Sequence, residues 1–405
     1  LGVPVVLVAV AMSNLDQSVV GLALPTLRRA FGAEVGLIQW VVIAYQLAIV
    51  ATLLVAGRFT DLLGPRRIFL AGLVVFTLAS GLCALALDAR QLIAARGVQG
   101  VGAAMLLASG QAVLTDAYPV ERRGRAMGAM HMAVAAGLTT GPSLGGLLID
   151  RFGWRSIFLV NLPVGLVALR LAWRRLPPPR EPRMPRPLLD PLLVRSRPLA
   201  AGLLTAFLAF VALASNMFLM PFALQSVMGL PPARAGLVMI TVPLTILVAA
   251  PVAGWLTDRI GPRWPATFGI GVVGAAILLM AQLRPASTVA FAVLALAVYG
   301  AGAGFFQAPN NTAVMTAAPP KARGTVSGAL ALARGLGQIA GVALAGAVWG
   351  WRQAVYAEGR SADAALAPAL RDAFLALALV ALAAVAISPL RGGRGPQGEA
   401  EGVQA

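Results

Sequence analysis

Apolar runs of about 20 residues recur from one end of this sequence to the other, and a run of that length spans ~30 Å of hydrocarbon at 1.5 Å rise per residue. Twelve are present, near 1–26, 37–57, 68–87, 91–115, 125–149, 154–172, 199–227, 233–256, 266–283, 287–316, 323–350 and 371–389. Only 12% of the 405 residues carry charge and 59% are apolar, whereas a soluble domain is nearer ~25% charged. The expected fold class is therefore an all-α integral membrane protein with twelve transmembrane helices.

A net charge of +17 would suggest a nucleic-acid partner for a soluble protein. Its distribution points instead to topology, with a lipid bilayer as partner and no nucleic acid. With a cytoplasmic N-terminus, six basic connections fall inside: Arg58 to Arg67, Arg122 to Arg125, Arg170 to Arg197, Arg259 to Arg263, Lys321 to Arg323 and the tail from Arg391. Lys and Arg are then about twice as frequent inside as outside, so both termini are expected in the cytoplasm of a multi-pass protein of the plasma (bacterial inner) membrane. Cys83 is the sole cysteine, which rules out an intrachain disulfide. No charged leader or cleavage site precedes the first run, so no removable signal peptide is expected.

The longest polar connection, LPPPREPRMPRPLLDPLLVRSRP at 176–198, falls between the sixth and seventh runs. It divides the chain into an expected six-helix bundle at 1–175, a cytoplasmic linker at 176–198, a second bundle at 199–390 and a tail at 391–405. The halves echo one another. AGRFTDLLGPR (56–66) returns as AGWLTDRIGPR (253–263), RGRAMGA (123–129) as RGTVSGA (323–329), and Gly100, Gly102 and Pro119 as Gly300, Gly302 and Pro319. Two six-span halves in parallel repeat are the architecture of the major facilitator transporters, which the chain resembles.

The segment GRFTDLLGPRR (57–67) joins the second and third runs. Gly57 and Gly64 permit close packing and a tight turn, and Pro65 suits the first turn of a helix. Asp61 is expected to accept bonds from helix-start amides, while Arg66 and Arg67 hold the inner surface. These charges either cap and orient helices or form an ion pair that breaks when the halves rock. The segment resembles the cytoplasmic signature of major facilitator transporters, Gly-x-x-x-Asp-Arg/Lys-x-Gly-Arg-Arg/Lys, with Leu62 in place of the usual basic residue and Arg259 kept in the second copy. The resemblance implies an inner gate governed by Asp61, Arg66, Asp258 and Arg263.

SNLDQSVVGLALP (13–25) places Asp16 inside the first run, and ARGVQGVGAAML (95–106) places Arg96 inside the fourth. Desolvation favours the neutral form of an unpartnered carboxylate, which suits a group that carries a proton. A permanent bond to a neighbouring helix is the alternative. An arginine in hydrocarbon costs at least ~2.5 kcal/mol, so Arg96 is expected to face a cavity or a partner, or to snorkel outward. Asp16 is its natural partner. The two stretches resemble, respectively, the first-span motif of drug/proton antiporters and the Arg-x-x-Gln-Gly motif of the superfamily. His131, the sole histidine, is placed to exchange protons or simply to pack.

From Gly128 the chain runs eight residues to Gly137, three to Gly141, then Pro142, two more residues and Gly145–Gly146. Glycines four apart let membrane helices touch, and a buried proline kinks a helix. This pattern matches the Gly-x8-Gly-x3-Gly-Pro-x2-Gly-Gly motif of antiporters. MPFALQSVMGLPPARAGL (220–237), NNTAVMTAAPPKARGTVSG (310–328) and ARGLGQIAGVALAG (333–346) resemble the drug/proton antiporter branch that usually has fourteen spans, here with twelve.

The resemblance implies a central cavity lined by spans 1, 4, 7 and 10, with Gln99, Asn216, Gln225, Gln307, Asn310 and Asn311 as polar groups available to a substrate. Arg334 is either a structural pair or a substrate contact. No metal site, cofactor site, nucleophile or Walker-type phosphate loop is found, so neither enzymatic chemistry nor direct ATP drive is expected. The expected function is proton-coupled export of amphipathic drugs or organic metabolites by a monomer. A same-fold carrier for a specific sugar or amino acid derivative, and a non-transporting membrane receptor, are the alternatives.

Overall fold

A computed structural model of the chain describes residues 3–118, 123–176, 197–319, 322–358 and 362–391. Most of the connection expected at 176–198 and the tail beyond 391 lie outside the described residues. Twelve helices among the described residues are long and apolar enough to cross a membrane. They are span 1 (Val3–Phe31), span 2 (Val35–Leu63), span 3 (Pro65–Leu85), span 4 (Ala89–Thr115), span 5 (Arg125–Phe152) and span 6 (Ser156–Arg175). The second set is span 7 (Leu199–Val227), span 8 (Pro232–Ile260), span 9 (Arg263–Met280), span 10 (Val289–Thr316), span 11 (Thr325–Ala357) and span 12 (Ala364–Ile387).

The apolar runs locate the helices but not all of their ends. Span 11 continues to Ala357 and span 12 already begins at Ala364, because alanine-rich chain stays helical where its hydropathy has faded. Span 7 changes character near its end. Pro221 lacks a backbone donor, the regular α-helix stops at Phe222, and Ala223–Val227 continues as a π-helix.

The chain divides into two compact units, one of Leu1–Pro187 with Leu224–Ile240, the other of Leu188–Ala223 with Thr241–Ala405. In the first, Tyr45, Phe69, Leu73, Phe76 and Leu106 belong to a buried core. In the second, Leu199, Ala206, Val314, Val326 and Leu330 do the same between spans 7, 10 and 11.

The repeat is expressed in details of local structure. Asp88 caps span 4 by accepting from the Gln91 amide at 2.8 Å, and Thr288, 200 positions later, caps span 10 by accepting from Phe291 at 3.3 Å. Gly64, between spans 2 and 3, has φ +86°, and Gly261, between spans 8 and 9, has φ +80°. A Cβ at Gly261 would meet nothing within 4 Å, so only backbone conformation requires glycine there. Gly64→Ala and Gly261→Ala should each cost about 1–3 kcal/mol, read as a lower melting temperature in detergent. Unchanged melting would show that the turn conformation is not what the two glycines serve.

Candidate functional site

Asp16 of span 1 is completely buried, and so are the groups around it. Arg96 of span 4 donates to its Oδ2 in an ion pair whose members are 0% and 1% exposed. Gln99, one turn further along span 4, donates to its Oδ1 at 3.0 Å, and Asn161 of span 6 donates to the same oxygen at 2.8 Å. Arg96 thus does not snorkel. Gln99 belongs to this cluster, bonding Ser80 of span 3 at 2.8 Å as well as Asp16.

The guanidinium of Arg96 is held from every side. It donates from Nη1 to Gln99 Oε1 at 2.6 Å and from Nε to the Val41 carbonyl at 3.3 Å. It also lies 3.9 Å over the ring of Tyr45, whose hydroxyl donates to the Ser13 carbonyl at 3.2 Å. Five spans therefore converge on one carboxylate, which is paired with a guanidinium and bonded by two amides. Removing either member of such a pair leaves a buried charge and costs about 3–5 kcal/mol. Sequence reasoning missed Asn161, Ser80 and Tyr45; each is an uncharged polar group in an apolar run.

The glycine face of span 5 packs on the same stretch of span 1. A Cβ on Gly137 would collide with the Ala11 carbonyl and lie 3.0 Å from the Leu15 nitrogen, and one on Gly141 would collide with the Ser18 hydroxyl. On Gly145 it would lie 2.6 Å from Val19. Span 5 thus holds residues 11 to 19, the turns that carry Asp16. Its other side meets the start of span 8: Gly146 abuts Pro232 and Ala233, and Gly236 abuts the Pro142 carbonyl. Asp150 accepts from the Ala233 amide at 3.0 Å, and Gln225 donates to the Leu22 carbonyl at 2.8 Å. Gly128, by contrast, has open space where a Cβ would be.

The glycine pattern itself recurs. Gly128, Gly137, Gly141 and Gly146 return as Gly328, Gly337, Gly341 and Gly346 at an offset of 200. Gly337 packs against Phe207 and Phe210, and Gly341 against Val211 and Ala214, so span 11 meets span 7 as span 5 meets span 1. The charges do not recur. At the same offset Asp16 becomes Asn216, Arg96 becomes Leu296 and Gln99 becomes Tyr299. The Tyr299 hydroxyl donates to the Leu213 carbonyl at 2.6 Å, and Asn216 Oδ1 is buried without a partner among the described residues.

Elsewhere in the second unit, Asn310 is 0% exposed with neither side-chain polar atom bonded. Asn311 accepts from Arg334, which lies 5.4 Å over the Phe210 ring. Gln307 is half-buried. The side chain of His131 lies outside the described residues.

The segment expected to form the inner gate is simpler than its sequence suggests. Asp61 lies in the last turn of span 2, and Gly64 caps span 3 without a side-chain bond, so Asp61 does not accept from helix-start amides as expected. Gly57 makes no close contact, since a Cβ there would meet nothing within 4 Å. Arg66 donates to the Trp173 carbonyl at 2.7 Å and ties span 3 to the end of span 6. Arg67 and Asp258 are exposed, and Arg263 lies 5.3 Å over the Trp264 ring. Among the described residues neither Asp61 nor Asp258 joins an ion pair.

Comparison with known proteins agrees with this architecture. The family profile described as Major Facilitator Superfamily matches residues 6–342. The riboflavin transporter RibZ of Clostridioides difficile is 29% identical over 84% of this chain and 86% of its own length. The multidrug resistance protein Stp of Mycobacterium tuberculosis is 30% identical over 83% of this chain and 73% of its own. A solved bacterial homologue of the human lysosomal transporter Spinster, in an inward-facing and unoccupied conformation, superposes with a TM-score of 0.80 at 19% identity, over 96% of both chains.

Proposed function

The chain belongs to the Major Facilitator Superfamily, and on that premise we propose that it exports amphipathic organic molecules across the plasma membrane in exchange for protons. The observation that carries this reading is the Asp16–Arg96 pair, buried within the bundle and bonded further by Gln99 and Asn161. Protonating Asp16 removes its charge and releases Arg96, whose other donors already have the Gln99 oxygen and the Val41 carbonyl. The guanidinium therefore stays bonded while its ion pair opens, which keeps the cost of proton exchange down. The glycine face of span 5 lets its backbone approach residues 11 to 19 closely, which sets the position of Asp16 in the bundle.

A relative named for multidrug resistance supports a broad cargo, and one named for riboflavin supports the narrower reading of a dedicated metabolite carrier. Inverted vesicles acidified inside separate them. We expect accumulation of several dyes from a panel that includes rhodamine 110 and rhodamine 123, abolished by a protonophore. Accumulation of riboflavin alone would favour the dedicated carrier, and no accumulation of any compound would contradict proton-driven export.

A further inference from the structure

The second unit lacks the charged cluster of the first but holds a cation of its own. Arg334 sits within span 11, three residues before Gly337, whose close approach to Phe207 and Phe210 sets the backbone against span 7. Its guanidinium lies 5.4 Å over the Phe210 ring and donates from Nη2 to Asn311 Oδ1 on span 10. Three helices thus fix its position. Among the described residues no carboxylate lies within ion-pair distance of it, and its Nε is buried without an acceptor. A guanidinium in a membrane span is expensive to keep without a counter-charge.

Asn311 supplies the connection to open space. Together with Thr312, Met315 and Thr316 it lines a depression of about 450 Å³. Because the amide oxygen is turned to Arg334, the Asn311 amide nitrogen, a donor only, is left to the depression, with the guanidinium bonded to the same amide. An array of donors carrying one positive charge, beside an aromatic ring and a methionine, suits an anionic group attached to an apolar body.

We propose that Arg334, oriented by Asn311 and Phe210, binds an anionic group of the transported molecule, so that the cargo is an amphipathic acid or zwitterion. The inference rests on reading the protein as a carrier of amphipathic molecules, and it divides the labour: the first unit handles the proton and the second the cargo's charge.

Rhodamine 110 and rhodamine 123 test it, since they differ only in a free carboxylate against its methyl ester. Binding to the purified full-length protein in detergent, measured by fluorescence anisotropy, needs no proton gradient, so this result and the vesicle result can fail separately. We expect rhodamine 110 to bind at least tenfold more tightly than rhodamine 123. Arg334→Gln should bring the two within about twofold of each other, and Arg334→Lys, which keeps the charge but not the fork, should fall between. If Arg334→Gln does not fold, the Lys variant carries the test, with a reduced ratio expected. Equal or absent binding of both dyes by the wild type, or an undiminished ratio in the variants, would overturn the proposal.

Discussion

Asp16→Asn should abolish proton-driven accumulation in acid-inside inverted vesicles, by at least tenfold, while the protein still inserts. Asparagine has nearly the shape of aspartate but cannot take up and release the proton. The substitution has a second effect that must be separated from the first. It leaves Arg96, which is 1% exposed, charged and without its counter-ion, at a cost of about 3–5 kcal/mol. The melting temperature should therefore fall together with transport. Asp16→Asn combined with Arg96→Gln removes both charges and should recover most of the lost stability without recovering proton-driven transport. If the double variant regains gradient-driven transport as well, the pair is structural and the coupling lies elsewhere.

Gly137→Leu and Gly141→Leu should damage the protein almost as much, for a different reason. A Cβ on Gly137 already collides with the Ala11 carbonyl, and one on Gly141 lies 3.0 Å from Ser18 Cβ and 3.2 Å from the Leu15 carbonyl. Leucine must therefore push spans 1 and 5 apart at the turns that carry Asp16. Overpacking of this kind costs about 1–3 kcal/mol, and export should fall at least tenfold or the vesicles should leak protons. Gly128 is the internal control. It belongs to the same sequence pattern, yet a Cβ there meets nothing within 4 Å, so Gly128→Leu should leave melting and transport unchanged. Equal damage at all three positions would mean that the pattern serves something other than the contact with span 1. Full activity of the Gly137 and Gly141 variants would reduce that contact to ordinary packing.

The fold was legible because hydrocarbon imposes so simple a rule on the sequence. Twelve runs of sufficient length gave twelve spans, and the echo of AGRFTDLLGPR in AGWLTDRIGPR marked the repeat that Gly64 and Gly261 express as matching turns. Asp16 and Arg96 stood out for the same reason, since a charge in an apolar run needs a partner. Their amide neighbours did not. Asn161 and Ser80 cost little alone in a helix, and only the tertiary arrangement shows that both reach one carboxylate or its neighbour. Gln99 was assigned to a cavity because its polarity was visible but its direction was not. Asp61 misled because a carboxylate three residues before a turn glycine reads equally well as the end of one helix or the cap of the next. The second-unit asymmetry was readable in principle, by aligning Asp16 with Asn216 and Arg96 with Leu296. It acquires meaning only once Tyr299 is seen to bond a backbone carbonyl where Gln99 bonds a carboxylate.

Proton movement driven by cargo is the most direct test of coupling through Asp16 and Arg96. Proteoliposomes in weakly buffered medium, given a rhodamine 110 gradient and followed with a pH electrode, should show protons moving opposite to the dye for the wild type and none for the Asp16→Asn/Arg96→Gln variant. Dye transport by the wild type with no accompanying proton movement, or equal proton movement by the variant, would contradict coupling through this pair.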